Sequence, residues 1–353
     1  MLKKLSVKNN QKYSILPSDS NNIDISKSIN GSKFIIGGSK FDAYCINCKD
    51  LLCYEYNDLN FSLGDLEGMP YNNSKYVCPT NSIILTDTIV KIDNNCINCG
   101  ICYSRCPVGA IYYSSVENKY IVNEYTSTVN HVEEQAISYE TFQNKEIINT
   151  NFVKVPQASI SDLNLNTISN HDFCNVVTFS YNKNIKENEL IRNYLFEFGY
   201  EAKSYSTGNN DNRIDCIGYK SNKYILCEIK LATNDYISLI RKALEDQAVF
   251  ANKYNKSIND IDIIIFINQL PNKRSDFYEL IKDIKLILDI EIHVIPIYFC
   301  DLLLKNGIRN FEDYIKDFKI NSDQLFISSG YLDTILQKID KNYGLEGVYT
   351  PLK

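Results

Sequence analysis

The sequence predicts two modules of different class: a cysteine-built α+β module, then an α/β domain with an αβββαβ core and a helical tail. Two observations carry this. Eight of the twelve cysteines fall between Cys45 and Cys106, and from Ile185 onward helical and strand periodicities alternate. A chain of 353 residues suits two domains of ~100 to 200 residues each. In order, IKENELIRNYLFEFG reads as a helix stopped at Gly199, and EAKSY, RIDCIGY and YILCEIKL read as strands. A helix from about Asp235 to Lys253, a buried strand IDIIIFI, a helix after Pro271 and a strand EIHVIPIYF complete an αβββαβαβ order. The expected boundaries are an N-terminal extension at 1–33, the cysteine module at 34–116, a polar connector at 117–182, the α/β domain at 183–299 and a helical extension at 300–353, with helical patterns such as NFEDYIKDF and GYLDTILQKID.

Composition excludes several classes. Hydrophobic residues at 44% and charged residues at 23% describe a chain able to fold, neither disordered nor collagen-like. No apolar run approaches the ~18 residues of a membrane helix, and the N-terminal MLKKLSVKNNQKYS has lysines without an apolar block behind them. The expectation is a cytoplasmic protein without a membrane partner. There thiols stay reduced, so disulfides do not explain twelve cysteines. A net charge of -6 argues against charge-driven binding of nucleic acid, so contact with DNA needs a local basic patch.

Cys96, Cys99, Cys102 and Cys106, followed by Pro107, form a C-x2-C-x2-C-x3-C-P run, the spacing that holds cubane iron–sulfur clusters. In such runs the fourth cysteine ligates the other cluster. A second set exists in Cys45, Cys48, Cys53 and Cys78, and CPTNSI after Cys78 repeats CPVGAI after Cys106. The crossed pairing assigns Cys45, Cys48, Cys53 and Cys106 to one [4Fe–4S] cluster and Cys96, Cys99, Cys102 and Cys78 to the other. Over about Phe34 to Ser115 the sequence resembles the dicluster ferredoxins. It departs from them in the first half, where Cys48 and Cys53 stand farther apart and 24 residues separate Cys53 from Cys78. Zinc also takes four thiolates, but its sites favour paired CxxC elements and do not predict a Cys-Pro at both fourth cysteines. Cys174, Cys216, Cys227 and Cys300 read as structural thiols.

In RIDCIGYKSNKYILCEIK, a hairpin turning at Ser221-Asn222 pairs Lys220 with Lys223 and sets Asp215 opposite Glu228. Glu228 and Lys230 share a face of their strand, while Cys216 and Cys227 point to the other. Facing carboxylates repel unless a cation lies between them, and hard oxygen ligands suit Mg²⁺ or Mn²⁺. A lysine beside such an ion is equipment for phosphodiester hydrolysis. This D-x12-E-x-K pattern within αβββαβ resembles the PD-(D/E)XK restriction-endonuclease-like superfamily, closest to its Holliday-junction-resolvase and Mrr-like branches, over about Ile185 to Phe299. The resemblance implies Asp215, Glu228 and Lys230 as catalytic residues, with Asp215 and Glu228 holding the metal, and adds an acid from the first helix. The helical wheel selects Glu187, near the apolar face, over Glu189, which it points away. Arg241, Lys242 and Gln247 on the following helix are candidates for substrate contact. His131, His171 and His293 are scattered, and none is given a catalytic role.

The combined expectation is a ferredoxin-like module joined to a Mg²⁺-dependent DNA nuclease, with cutting under redox control. Host defence or DNA processing are the settings that fold-level analogy offers. A redox donor or defence-complex protein is the expected partner, and a homodimer is compatible with this reading. The alternative is an electron-transfer protein whose C-terminal fold only binds nucleic acid or a partner.

Overall fold

The computed structural model describes residues 3–5, 14–16, 45, 51–56, 63, 66, 71–72, 74–86, 90–106, 110–114, 119–122, 186–205, 214–231, 235–272, 274–305, 309 and 311. Cys48, Cys174, His131, His171, most of the connector and the C-terminal helical patterns lie outside them. The described residues fall into two units, one with residues up to 56, 75 to 122, 304 and 305, the other with residues 63 to 74, 186 to 303, 309 and 311. No described helix is long and apolar enough to cross a membrane.

The first unit is built from short antiparallel pairs. Strands β1 (Lys3–Leu5) and β2 (Ser14–Leu16) pair with each other. After the short β3 (Tyr71–Asn72), which belongs to the second unit, β4 (Ile83–Leu85) pairs with β5 (Val90–Ile92). The one-turn helix α1 (Ile101–Arg105) follows, then the hairpin of β6 (Ile111–Ser114) and β7 (Lys119–Val122). Because β7 pairs with β6, this unit runs past the boundary expected at residue 116.

The second unit is a mixed sheet between helices. Helix α2 (Glu187–Glu197) leads into β8 (Glu201–Tyr205), β9 (Cys216–Lys220) and β10 (Lys223–Lys230), all antiparallel. Helix α3 (Tyr236–Tyr254) crosses over to β11 (Ile261–Ile267), parallel to β10, and α4 (Asp276–Leu288) crosses to β12 (Ile292–Pro296), parallel to β11. This is the αβββαβαβ order read from the sequence. The helix starts and stops have local causes. The Asp235 side chain caps α3 by accepting from the Ser238 N–H, and Ser275 caps α4 through the Phe277 N–H. Gly199, at φ 81°, closes α2: its N–H reaches the Phe196 carbonyl and that of Tyr200 reaches Leu195, the two bonds of a Schellman cap.

Side-chain alternation sorts the layers. Ile263, Ile265 and Ile267 of β11 pack with Leu239, Ile240 and Ala243 of α3 and Phe277, Tyr278 and Ile281 of α4 on one face. On the other face α2 lies so close to β9 that a Cβ added to Gly218 would stand 3.3 Å from Leu195 Cδ1. Helix α2 is covered all round, with Arg192 and Asn193 fully buried and Glu189 only 5% exposed. Glu189, read from its wheel position as pointing away, is therefore buried and paired with Lys186 at 3.3 Å. Its wheel position says only that it leaves the sheet, not that it meets water.

Two expectations change. The strand read over EIHVIPIYF stops at Pro296, and Ile297 begins α5 (Ile297–Lys305). Proline has no N–H to continue a ladder, and its fixed φ suits a helix start. Of the residues between Cys53 and Cys78, Leu59–Ser74 belong to the second unit. They supply β3, which joins the sheet edge through Tyr71↔Tyr205 and Asn72↔Ser204, giving the six-stranded order β12-β11-β10-β9-β8-β3. They also supply Leu63 and Leu66, which pack with Ile214, Ile217, Leu226 and Phe250. Leu63, at 0% exposure, is a core residue of the sheet unit. Leu63→Ala should therefore cost about 2–5 kcal/mol in urea unfolding followed by circular dichroism, with the iron content unchanged; a loss below ~0.5 kcal/mol would mean that the insertion is not part of this core.

Candidate functional sites

In the first unit, Cys78, Cys96, Cys99 and Cys102 line one cavity, with Val77, Ile83, Ile97 and Tyr120 among the remaining walls. Cys102 belongs to α1, while Cys96 and Cys99 lie on the loop before it, bent by two left-handed residues, Asn98 (φ 59°) and Gly100 (φ 74°). Asparagine tolerates that conformation better than branched residues do. The Asn98 carboxamide oxygen, buried in the loop, accepts the Tyr120 N–H at 3.2 Å, and its own N–H points at Cys96 Sγ at 3.4 Å. The motifs CPTNSI and CPVGAI, similar in sequence, are also similar in bonding. The Ser82 N–H donates to Cys78 Sγ at 3.1 Å, and the Ala110 N–H donates to Cys106 Sγ at 3.2 Å, each four residues on.

These thiols do not suit an empty pocket as thiolates. Burial pushes the Cys96 thiol up to about 11, with Cys78 and Asp93 adding to it and backbone N–H bonds opposing it. Burial also raises Cys102, helped by Cys96, Cys99, Cys78 and Cys53. Four sulfurs around one cavity, with N–H donors aimed at them, fit an iron–sulfur core, whose irons offset the repulsion among thiolates. Cys45, Cys53 and Cys106 are buried, and with Cys48 outside the described residues the geometry of the other quartet is not described. Cys53 sits in a turn closed by N–H bonds from Tyr54 and Glu55 to the Leu51 carbonyl. Arg105 joins the two cysteine segments of this unit, donating to the Leu52 carbonyl at 2.6 Å and stacking over Tyr56 at 4.3 Å.

In the second unit, Ser221 (φ 52°) and Asn222 (φ 65°) form the two-residue turn, and the ladder runs from Lys220↔Lys223 to Cys216↔Cys227. Asp215 stands in a bend just before β9, one residue beyond the last paired step, and its charge acts on Glu228 of β10. An Asp215 carboxylate oxygen accepts the Ile229 N–H at 2.9 Å. Both acids share the face of Ile217 and Leu226, the face that α3 covers. From α3 comes Lys242, whose Nζ meets both Glu228 oxygens at 2.7 and 2.6 Å and lies 3.7 Å from Asp215 Oδ2.

The electrostatics follow from burial. It pushes Glu228 up to about 7, with Asp215 adding to the shift and Lys242 opposing it. Burial likewise raises Asp215, against Lys242 and the Ile229 N–H. Burial works against the Lys242 charge, yet Asp215 and Glu228 together hold its pKa above the usual lysine value. A buried and a half-buried carboxylate around one cation are a donor set of the kind that suits a small hard divalent ion.

The remaining candidates divide. Glu187 reaches the end of β10 from α2, accepting the Leu231 N–H and feeling the charges of Lys230 and Asp215; burial raises its pKa. Lys230 is exposed at the strand end. Lys242 departs from its expected substrate-contacting role, being engaged with the carboxylates. Gln247 departs too: it is buried and donates to the Ile261 carbonyl at 3.0 Å, tying α3 to β11. Arg241 is solvent-exposed and lies 3.8 Å from Glu245 on its own helix. His293 is buried in β12, away from any catalytic assignment. Cys216, Cys227 and Cys300 are buried free thiols. Sequence reading missed Asp246, one turn beyond Lys242, whose charge acts on both Lys242 and Glu228. The available signal was its i+4 spacing from Lys242, beside the apolar stripe of Leu239, Ala243 and Phe250.

Comparison with known proteins bears on the first unit. A family model described as a 4Fe-4S binding domain matches residues 89–112, which include Cys96, Cys99, Cys102 and Cys106. An uncharacterized ferredoxin of Methanocaldococcus jannaschii is 29% identical over 91 residues, which are 26% of this chain and 46% of that protein. The chain thus spans about half the length of the curated relative it matches. No solved structure matches. The chain carries a ferredoxin-type 4Fe-4S binding domain in a mixed α/β protein. Because Asn98 holds the cysteine loop to β7, Asn98→Ala leaves a buried Tyr120 N–H without its acceptor, a cost of ~1–3 kcal/mol. It should at least halve the lifetime of the cluster's visible absorbance under a chelator. A lifetime equal to that of the unchanged protein would mean that the loop does not depend on this bond.

Proposed function

We propose that the chain is an iron–sulfur protein whose second unit hydrolyses phosphodiester bonds of DNA with Mg²⁺ or Mn²⁺. The observation that supports this best is the convergence of Asp215 and Glu228 across the β9–β10 ladder, with Glu187 and Lys230 at the strand end. When bound, a divalent cation supplies a Lewis acid for the scissile phosphate and a water of lowered pKa. Asp215 and Glu228 hold that ion. Asp215 is pinned by the Ile229 N–H and Glu187 by the Leu231 N–H, so two of the three acids are pre-oriented by backbone donors. Lys230 orients the attacking water or balances the charge that develops on the phosphate.

The first unit holds two [4Fe–4S] clusters in the crossed arrangement, one on Cys78, Cys96, Cys99 and Cys102, the other on Cys45, Cys48, Cys53 and Cys106. The shared cavity of the first quartet and the matched N–H bonds to Cys78 and Cys106 favour this. A change of cluster charge alters the field the protein presents to DNA, so cutting should respond to redox state. Host defence or DNA processing remains the setting, by analogy of fold. The second reading, an electron carrier whose sheet unit only binds a partner, is favoured by the likeness to a ferredoxin over 91 residues.

Anaerobically prepared protein should contain close to eight irons and eight sulfides. Cys102→Ser and Cys106→Ser should each remove a different cluster, separable by electron paramagnetic resonance of the reduced protein; loss of the same cluster in both would refute the crossed pairing. Asp215→Asn, Glu228→Gln and Lys230→Ala should each lower Mg²⁺-dependent cleavage of single-stranded, duplex or branched DNA by ~100-fold or more with iron content unchanged. Undiminished cleavage by all three variants would move the active site elsewhere, and no cleavage by the parent protein would leave the electron-carrier reading.

A further inference from the structure

We propose that Lys242 is the built-in counter-cation of the Asp215–Glu228 pair, and that a divalent ion enters the site by displacing its ammonium group. This rests on the reading of the two acids as metal ligands. The geometry points to it in three ways. The ammonium group spans both acids, at 2.7 and 2.6 Å from the two Glu228 oxygens and 3.7 Å from Asp215 Oδ2. Glu228 has almost no water to turn to, with a side chain 1% exposed against 31% for Lys242. An ionised carboxylate that is buried needs a partner, and Lys242 is the group that supplies one. The position is also one a divalent ion would need, since an ion bridging Asp215 and Glu228 would stand within a few ångströms of Nζ, where like charges repel.

The displaced group has somewhere to go. Lys242 stands on the second turn of α3, partly open to solvent on a long flexible stem, and Asp246 lies one turn along the same helix face, its charge already acting on Lys242. Moving Nζ from Glu228 toward Asp246 keeps the lysine paired while it vacates the site. The site is therefore held together without metal, at the expense of affinity for the metal. Lys242 and Lys230 then differ in kind: Lys230 is exposed at the strand end and its charge reaches Asp215 from there, whereas Lys242 and the divalent ion exclude each other.

The test uses the full-length protein with its clusters loaded, kept anaerobic and oxidised, and Mn²⁺ alone as the probe. Binding is read from loss of the free-ion paramagnetic resonance signal, and Glu228→Gln identifies the fraction bound at this site. Lys242→Met should tighten the Glu228-dependent Mn²⁺ affinity at least tenfold and lower the melting temperature of the metal-free protein, so that Mn²⁺ raises the melting temperature more than it does in the parent. Lys242→Gln repeats the neutral substitution should the methionine variant not fold. Lys242→Arg keeps the charge on a group that binds carboxylate more firmly, and should weaken Mn²⁺ binding or leave it unchanged. Affinities within twofold among the parent, Lys242→Met and Lys242→Gln would overturn the counter-cation and leave the metal site standing. Absence of any Glu228-dependent Mn²⁺ binding in the parent and in every variant would overturn the metal site itself, and the counter-cation with it.

Discussion

Two left-handed residues, Ser221 and Asn222, decide where the chemistry of the second unit lies. A two-residue turn admits one register, and a slip by a single residue would carry every side chain of the slipped strand to the opposite face. With Lys220 against Lys223, the alternation sends Cys216 and Cys227 to the face of α2, and Ile217, Leu226, Asp215 and Glu228 to the face of α3. The apolar positions bind the register to the core, and the acids follow because they lie on the same two strands. Their cost is that of buried carboxylates at close range, which the structure offsets with the Lys242 ammonium and the Ile229 N–H. A point where the sheet carries close acids at a cost is thus also its candidate reactive point, the relation expected where local rules yield to function.

The cysteine unit shows a comparable economy. Two Cys-Pro segments each aim an N–H four residues on at the cysteine sulfur, then enter a strand, β4 after Cys78 and β6 after Cys106. Proline cannot donate and restricts the chain, leaving the later amide as the donor. Hydrogen bonds to sulfur are one means by which proteins tune cluster potential, so the matched bonds give Cys78 and Cys106 similar surroundings. The unequal feature is the segment between Cys53 and Cys78, which leaves this unit to supply Leu63, Leu66 and β3 to the sheet.

What the sequence made legible was local or strictly spaced. The hairpin could be read because two polar residues lie between alternating runs, and the 4Fe-4S binding run from Cys96 to Cys106 because cluster chemistry tolerates few spacings. Less legible was whatever depends on which face meets which. Lys242 and Gln247 both looked like polar residues on an exposed helix, but one faces β10 and pairs with Glu228, while the other is buried against the Ile261 carbonyl. A wheel gives the angle of a residue and not what lies opposite, so Glu189 could not be known as buried. The role of Leu63 and Leu66 was hidden for a related reason: the short apolar run of Leu59, Phe61, Leu63 and Leu66 does not say what it packs on, and the partners at Ile214, Ile217 and Leu226 lie far along the chain. Pro296 carried its own signal, which the apolar run around it outweighed.

The central claim is that one chain holds two separate inorganic sites, an iron–sulfur module and a hard-cation site at the end of a β-hairpin. The most direct measurement is anomalous diffraction from an anaerobic crystal soaked in Mn²⁺, recorded at the iron and manganese edges. The account predicts two compact iron centres on the two crossed cysteine quartets and one manganese peak between Asp215 and Glu228, with the Lys242 side chain turned away from Glu228. Iron bound as predicted with no manganese at the carboxylates, and Lys242 still paired with Glu228, would contradict it.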